Sequence, residues 1–324
     1  MKCPECGHNQ KHKYGMTCSC GYQFALDPKR DQISDARFLA LVANASSNDT
    51  YYFTKNQLAT AYCRRELKGC GSGAGLAVFM AIGGVMVAMA LFAAQAGGGM
   101  GWGILLALGL LVILGSGWRL LFHRPNRKVM EAAIRKWHAA GRRVPRLLLK
   151  PSLHQPPPEW EEPDIYDYGV ESILIVERDI LVDLFVKNGF HASQRCLVVS
   201  ETGYPSYIAG RVETLLREQP DLPVYLLHDA TRHGGKMIER VERQLQLPPR
   251  DRPFIDLGLF PVDVQRIRRL RPLLPAKDDY AIPLDYIGYG MLLSGLSQAF
   301  EEQVALAAVL DTQQAGGYES VSFG

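Results

Sequence analysis

Two acidic side chains stand where apolar runs end. Glu177 closes "SILIVE", and Asp229 lies at the end of "LPVYLLHD" in the stretch "LPVYLLHDATRHGG". Residues just past the carboxyl end of a strand are where α/β proteins place their chemistry. If both runs are strands of one parallel sheet, the two carboxylates project from the same edge and can approach each other. Such a pair can hold Mg2+ or Mn2+, hard cations that prefer oxygen ligands. An ion held there would neutralise charge developing on a phosphodiester.

A second constellation lies at the amino terminus. "CPEC" and "CSC" supply Cys3, Cys6, Cys18 and Cys20. Four thiolates in two close pairs can close a tetrahedron around zinc, which sulfur ligands favour. The second pair is one residue tighter than C-x2-C. The stretch around it has almost no core, so the ion would supply its folding energy. Four cysteines leave no position open for water, so the expected zinc is structural. The spacing resembles a zinc ribbon, expected over 1–26, with His8 and His12 as loop residues. Cys63, Cys70 and Cys196 are scattered, which argues against a disulfide framework and for a reducing compartment.

The elements that must position these groups follow from patterning. The chain has 324 residues, 47% hydrophobic and 21% charged, with net charge +3. That length allows about two domains plus small modules. The charge is too mild to argue for nucleic acid by itself. From about residue 165 strands and helices alternate: "SILIVE", "RCLVVS" and "PVYLLHD" as strands, with "RDILVDLFVKNGF", "YIAGRVETLLREQ" and "GGKMIERVERQLQL" as helices. Continuously apolar strands alternating with helices give an α/β fold whose parallel sheet is covered on both faces. This domain is expected over 165–310, followed by a disordered tail, 311–324.

Upstream, 27–68 reads as two short amphipathic helices. Thr54 with Gln57 three residues on fits a capping box opening the second. Between Gly69 and Trp118 no residue is charged. A two-helix membrane hairpin is therefore expected over 69–123, with spans at 74–94 and 101–122. Gly83, Gly84 and Ala88 would serve close helix packing, and Trp102 and Trp118 would sit at the interfaces. Basic flanks put both termini in the cytoplasm, so the expected localisation is the inner membrane, multi-pass. The basic helix expected within 124–150 would lie near the anionic leaflet, with Val129, Ala132, Ile134 and Trp137 on its apolar face. A proline-rich linker, 151–164, separates it from the α/β domain.

The α/β region resembles a Toprim domain, more narrowly that of topoisomerase VI A subunits and their meiotic relatives. The matching elements are "ILIVERDILVDLF", "SETGYPSYIAGRVETLL", "LPVYLLHDATRHG" and, downstream, "FIDLGLFPVDVQRI". The resemblance implies a Toprim (Rossmann-like) fold and three catalytic positions. Glu177 would be general acid/base or metal ligand, Asp229 a metal ligand, and Thr231 stands where the D-x-D pattern has its second aspartate. A neutral hydroxyl there weakens cation binding; Glu201 could restore the charge. His228, Arg232 and His233 could contact phosphate. Topoisomerases of this type break DNA with a tyrosine on a separate preceding domain, for which this chain offers no candidate. The expected function is that of a membrane-anchored protein with divalent-metal-dependent, nuclease-like phosphodiester chemistry on nucleic acid, with DNA and a protein as candidate partners. The alternative is a non-catalytic scaffold or sensor binding a protein or nucleic-acid partner.

Overall fold

Three apolar runs, each buried on both faces, supply three strands of a four-stranded parallel sheet. The computed structural model describes residues 1–70, 73–95, 101–122, 126–156, 169–245, 253–267 and 281–315. In chain order the elements are α1 (Pro28–Asp31), α2 (Asp35–Ala45), β1 (Phe53–Thr54), α3 (Lys55–Cys70), α4 (Gly73–Gln95), α5 (Gly101–Phe122), α6 (Lys128–Ala139) and β2 (Leu147–Leu148). Then follow β3 (Ser172–Val176), α7 (Asp179–Lys187), α8 (Phe190–Ser193), β4 (Cys196–Ser200), α9 (Ser206–Glu218), β5 (Val224–Leu227) and α10 (Met237–Gln244). The last are β6 (Ile255–Asp256), α11 (Pro261–Arg266), α12 (Tyr289–Glu302) and α13 (Leu306–Ala315).

The sheet order is β4-β3-β5-β6, all parallel. Side chains alternate between faces along each strand. Leu174, Val176, Val198, Tyr225 and Leu227 pack with α7, α8, α12 and α13 on one face. Ile173, Ile175, Val199, Val224 and Leu226 pack with α9 and α10 on the other. The chain leaves β3 for β4 on one side, then crosses to β5 on the other. This reversal lies at the carboxyl end of β3, the usual ligand position in open α/β sheets.

The expected capping box is present. Thr54 N–H donates to Gln57 Oε1 at 2.9 Å, and Gln57 N–H donates to Thr54 Oγ1 at 3.3 Å, which starts α3. β1 pairs in parallel with β2, Phe53 opposite Leu147. This segment docks on the sheet domain: Tyr52 N–H donates to Asn188 Oδ1 at 2.7 Å, and Asn188 Nδ2 donates back to Tyr52 O at 3.0 Å.

The chain divides into one unit of 1–61 with 128–324 and a second of 62–127. In the second, α4 and α5 pack closely. A Cβ added at Gly83 would lie 2.7 Å from Ile113 Cγ1, and one at Gly109 would lie 3.0 Å from Gly83 O. Glycine is what permits that approach. The two membrane spans, the membrane as a partner and the multi-pass inner-membrane localisation are corrected. Among the described residues no helix is long and apolar enough to cross a membrane. The side chains of Trp102 and Trp118 lie outside the described residues.

The apolar face of the basic helix packs inside the protein. In α6, Val129, Met130, Ala133, Ile134 and Trp137 are buried in the protein, and Trp137 meets Phe38 of α2 with ring centroids 4.9 Å apart. Of the expected proline-rich linker, 157–164 lies outside the described residues. Of the expected tail, 311–315 is the last turn of α13, and 316–324 lies outside the described residues.

Candidate functional site

The sheet ladder continues past the strand ends and brings the acids together. Glu177 N–H donates to Leu227 O at 3.1 Å, and Glu201 N–H donates to Val176 O at 2.9 Å. The ends of β3, β4 and β5 therefore deliver Glu177, Glu201 and Asp229 to one rim. There the backbone N–H of Asp229 donates to Glu177 Oε2 at 2.7 Å. Glu177 and Asp229 thus meet at this rim through the side chain of one and the main chain of the other.

Arginine occupies the space beside Asp229. Its Oδ1 accepts from Leu284 N–H at 2.7 Å and from Arg178 Nη2 at 3.1 Å. Its Oδ2 lies 2.7 Å from Arg178 Nε. The same Nη2 donates to Asp285 Oδ1 at 2.7 Å. Asp285 is buried at 1% exposure and is held by Thr54 Oγ1 at 2.7 Å and Asn56 Nδ2 at 3.1 Å. Burial pushes the Asp229 carboxyl above its ordinary value, and the Arg178 charge opposes that only in part. Burial works against the Arg178 charge, but Asp285 and Asp229 outweigh it and raise its pKa.

A second arginine closes the other side. Arg240 Nη2 donates to Glu201 Oε2 at 2.7 Å, and its Nε lies 3.1–3.2 Å from both Glu201 oxygens. Its Nη2 is 3.9 Å from Glu177 Oε1. Glu201 does face the site, as charge restoration requires, but with a guanidinium on it. The Glu177 carboxyl is raised, first by burial and further by the charges of Asp229 and Glu201, against the pull of the Asp229 N–H.

The residues around Asp229 divide sharply. Thr231 Oγ1 accepts from Gly234 N–H at 2.7 Å and so fixes the turn after β5. His228 is fully buried. Its Nδ1 faces Asp229 O at 2.9 Å and its Nε2 faces Asp256 Oδ1 at 3.2 Å, which leaves neither nitrogen for a phosphate. Arg232 and His233 are exposed at the rim, with His233 Nε2 3.8 Å from Glu201 Oε1.

As arranged, these acids do not fit a divalent cation. Both Asp229 oxygens are engaged, and the Thr231 hydroxyl is committed to the turn. Among the described residues, the group of three or more metal-type ligands whose donor atoms all lie within 4.8 Å of one another is Cys3, Cys6, Cys18 and Cys20. That group does fit. Cys3 Sγ to Cys20 Sγ and Cys6 Sγ to Cys18 Sγ are both 3.6 Å, close to the ~3.8 Å between ligands of tetrahedral zinc with Zn–S near 2.3 Å. The four cysteines could hold zinc.

Sequence reasoning missed Arg178, Arg240 and Asp285. Arg178 directly follows Glu177, so its place at the rim could have been inferred from the strand. Nothing in the sequence marks Asp285, which arrives from a turn far downstream.

Residues 172–244 match the family model for the Toprim domain shared by the topoisomerase 6 A-subunit and Spo11. The A-subunit of type 2 DNA topoisomerase 6 from Sulfurisphaera tokodaii is 32% identical over 71 residues, 22% of this chain and 18% of that protein. The meiotic recombination protein SPO11-1 of Arabidopsis thaliana is 29% identical over 103 residues, 32% of this chain and 28% of that protein. The topoisomerase 6 A-subunit of Hyperthermus butylicus is 31% identical over 80 residues, 25% and 20% of the two chains. This chain thus spans between just under a fifth and somewhat over a quarter of the length of these relatives. No solved structure matches. The α/β region carries a Toprim domain of the topoisomerase VI A/Spo11 type.

Proposed function

We propose that this chain binds nucleic acid through its Toprim domain, at the carboxyl edge of the sheet, with the acid pair held closed by arginine. The names of its relatives, DNA topoisomerase subunits and a meiotic recombination protein, support a DNA-related role. The observation that carries the closed state is the engagement of both Asp229 oxygens by Arg178. Arg232 and His233, exposed on the same rim, supply donors for phosphate oxygens. Phosphate contacts make affinity fall with salt.

The test is anisotropy of a labelled DNA duplex titrated with the full chain at two salt concentrations, alongside plasmid nicking with Mg2+ or Mn2+. The expected result is salt-dependent binding without nicking. Absence of binding at low salt overturns the proposal.

A second reading, metal-dependent phosphodiester chemistry, is favoured by Glu177. Its raised pKa suits a general acid/base, and its carboxylate is already fixed by the Asp229 N–H. Nicking that disappears in Glu177→Gln would establish it. Zinc on Cys3, Cys6, Cys18 and Cys20 belongs to the same proposal as a folding element of the first 26 residues, where it would supply structure and leave the sheet edge as the working site.

A further inference from the structure

We infer that Tyr14 is a stacking platform for an unpaired base of single-stranded nucleic acid, and that Lys11 and Lys13 beside it take the flanking phosphates. The site lies in the cysteine module, outside the matched Toprim residues 172–244, and does not rest on the sheet-edge reading.

Three aromatic rings occur in residues 1–26. Two of them serve packing: Tyr22 and Phe24 meet edge to face with centroids 5.3 Å apart and cluster with Cys3 and Cys18. Tyr14 takes no part in that cluster and is 67% exposed. Its exposure does not come from a slack loop. Gln10 is buried and sends its amide under the loop, where Nε2 donates to Gly15 O at 3.0 Å and to Thr17 O at 2.6 Å. Tyr14 N–H donates to Lys11 O at 3.1 Å, and Gly15 N–H to His12 O at 3.1 Å. His12 Nε2, 3.0 Å from both Asp27 oxygens, fastens the turn from outside. A braced turn therefore holds the ring outward, and little further ordering is needed when it meets a ligand.

Charge selects the ligand. Within 1–26 three lysines, Lys2, Lys11 and Lys13, stand against one acid, Glu5. All three lysines are exposed. Lys2 pairs across an antiparallel bridge with Asn9, which brings it beside the start of the loop. Lys13 Nζ lies 4.9 Å from the centre of the Tyr14 ring, so a cation and a π face are presented together. A strand with unpaired bases matches both, one base stacking on the ring while neighbouring phosphates meet the lysines. In a duplex the base faces are already stacked on one another and leave none for the tyrosine.

The experiment is anisotropy of a labelled single-stranded oligothymidylate titrated with the zinc-loaded full chain, beside a duplex and an abasic strand of equal length. Tyr14→Ala is expected to weaken single-strand binding roughly five- to hundredfold, the range for losing one base–aromatic stack. Tyr14→Phe should keep the affinity, whereas Tyr14→Leu, apolar but without a π face, should lose it. Lys11→Gln and Lys13→Gln should each lower the slope of log affinity against log salt by about 0.7. Zinc content and Tm identify the variants that keep the fold. Unchanged single-strand affinity in Tyr14→Ala overturns the inference, as does Tyr14→Leu matching Tyr14→Phe, or an abasic strand bound as tightly as the base-bearing one. Duplex binding that survives any of these results leaves the sheet-edge proposal standing. Tyr14-dependent single-strand binding in a chain that binds no duplex sinks the sheet-edge proposal alone.

Discussion

The backbone N–H of Asp229 donates to Glu177 Oε2 across 2.7 Å, so the ends of two neighbouring strands are joined by one acidic residue bonding to the other. The position of the Glu177 carboxyl is therefore set by main chain. Its orientation does not depend on a metal.

Glu177→Gln should preserve the fold, because an amide oxygen can accept the same bond. The wild-type carboxyl is raised above its ordinary value of 4.5, chiefly by burial. A raised acid holds its proton more tightly when folded, so stability falls as pH rises from about that value through the folded pKa. The uncharged glutamine carries no such cost. Urea melts at pH 4 and pH 7 should show the variant gaining on the wild type at the higher pH. The opposite slope would contradict the burial argument.

Much of the sheet was legible because its strands are buried on both faces. "SILIVE", "RCLVVS" and "PVYLLHD" are read as strands from composition alone, and β3, β4 and β5 fall inside them. Thr54 and Gln57 announced a cap through spacing that has a mechanism. The closure of the site was not legible, since ion pairs between Arg178 and Asp285 depend on tertiary approach and leave no periodic trace. β6 was missed as a strand because two residues beside glycine carry no pattern. The uncharged stretch misled in the opposite direction: its composition pointed to a hairpin of spans, and among the described residues no helix is long and apolar enough to cross a membrane.

Removing the Arg178 charge should be costly. Arg178→Met strands two buried carboxylates, and loss of one partner from such a group costs about 3 kcal/mol. Asp285→Asn should cost less, since Asp229 still pairs with the arginine. Chemical denaturation of both single variants and the double should show non-additivity, because the residues touch. Additive losses would mean that the two act separately.

His228 should hold its proton to higher pH than a free histidine. Both ring nitrogens face acceptors, Asp229 O and Asp256. Burial alone would lower its pKa, but the Asp256 bond and the Asp229 carbonyl raise it above 6.5. A raised histidine contributes stability that is complete below 6.5 and is lost as pH climbs through the folded value. Nitrogen NMR should find the ring titrating above 6.5, and at a lower pH in Asp256→Asn. A ring that titrates below 6.5 would refute the assignment.

Gly258→Ala should disturb that same histidine. A Cβ there would lie 2.2 Å from His228 Cδ2 and Nε2. The ring is walled in and cannot retreat, so the variant should lose about 3 kcal/mol, the upper range for overpacking. Thermal melts would measure it, and a neutral result would show that the ring can move.

The cysteine group should carry one zinc per chain by elemental analysis. A chelator, or Cys3→Ser, should open the first 26 residues to protease, because the ion supplies the folding energy of a module with little core. Protection unchanged by chelation would mean that no ion holds the module together.

Thr54 has a wider consequence than starting a helix. Its hydroxyl and the amide of Asn56 grip Asp285, so the rim borrows two donors from far ahead of the sheet. Excising residues 165–324 would retain every acid and both arginines yet leave Asp285 short of its anchors. A trimmed recombinant fragment would then misreport the electrostatics of the parent. The shortest faithful surrogate begins upstream of Thr54.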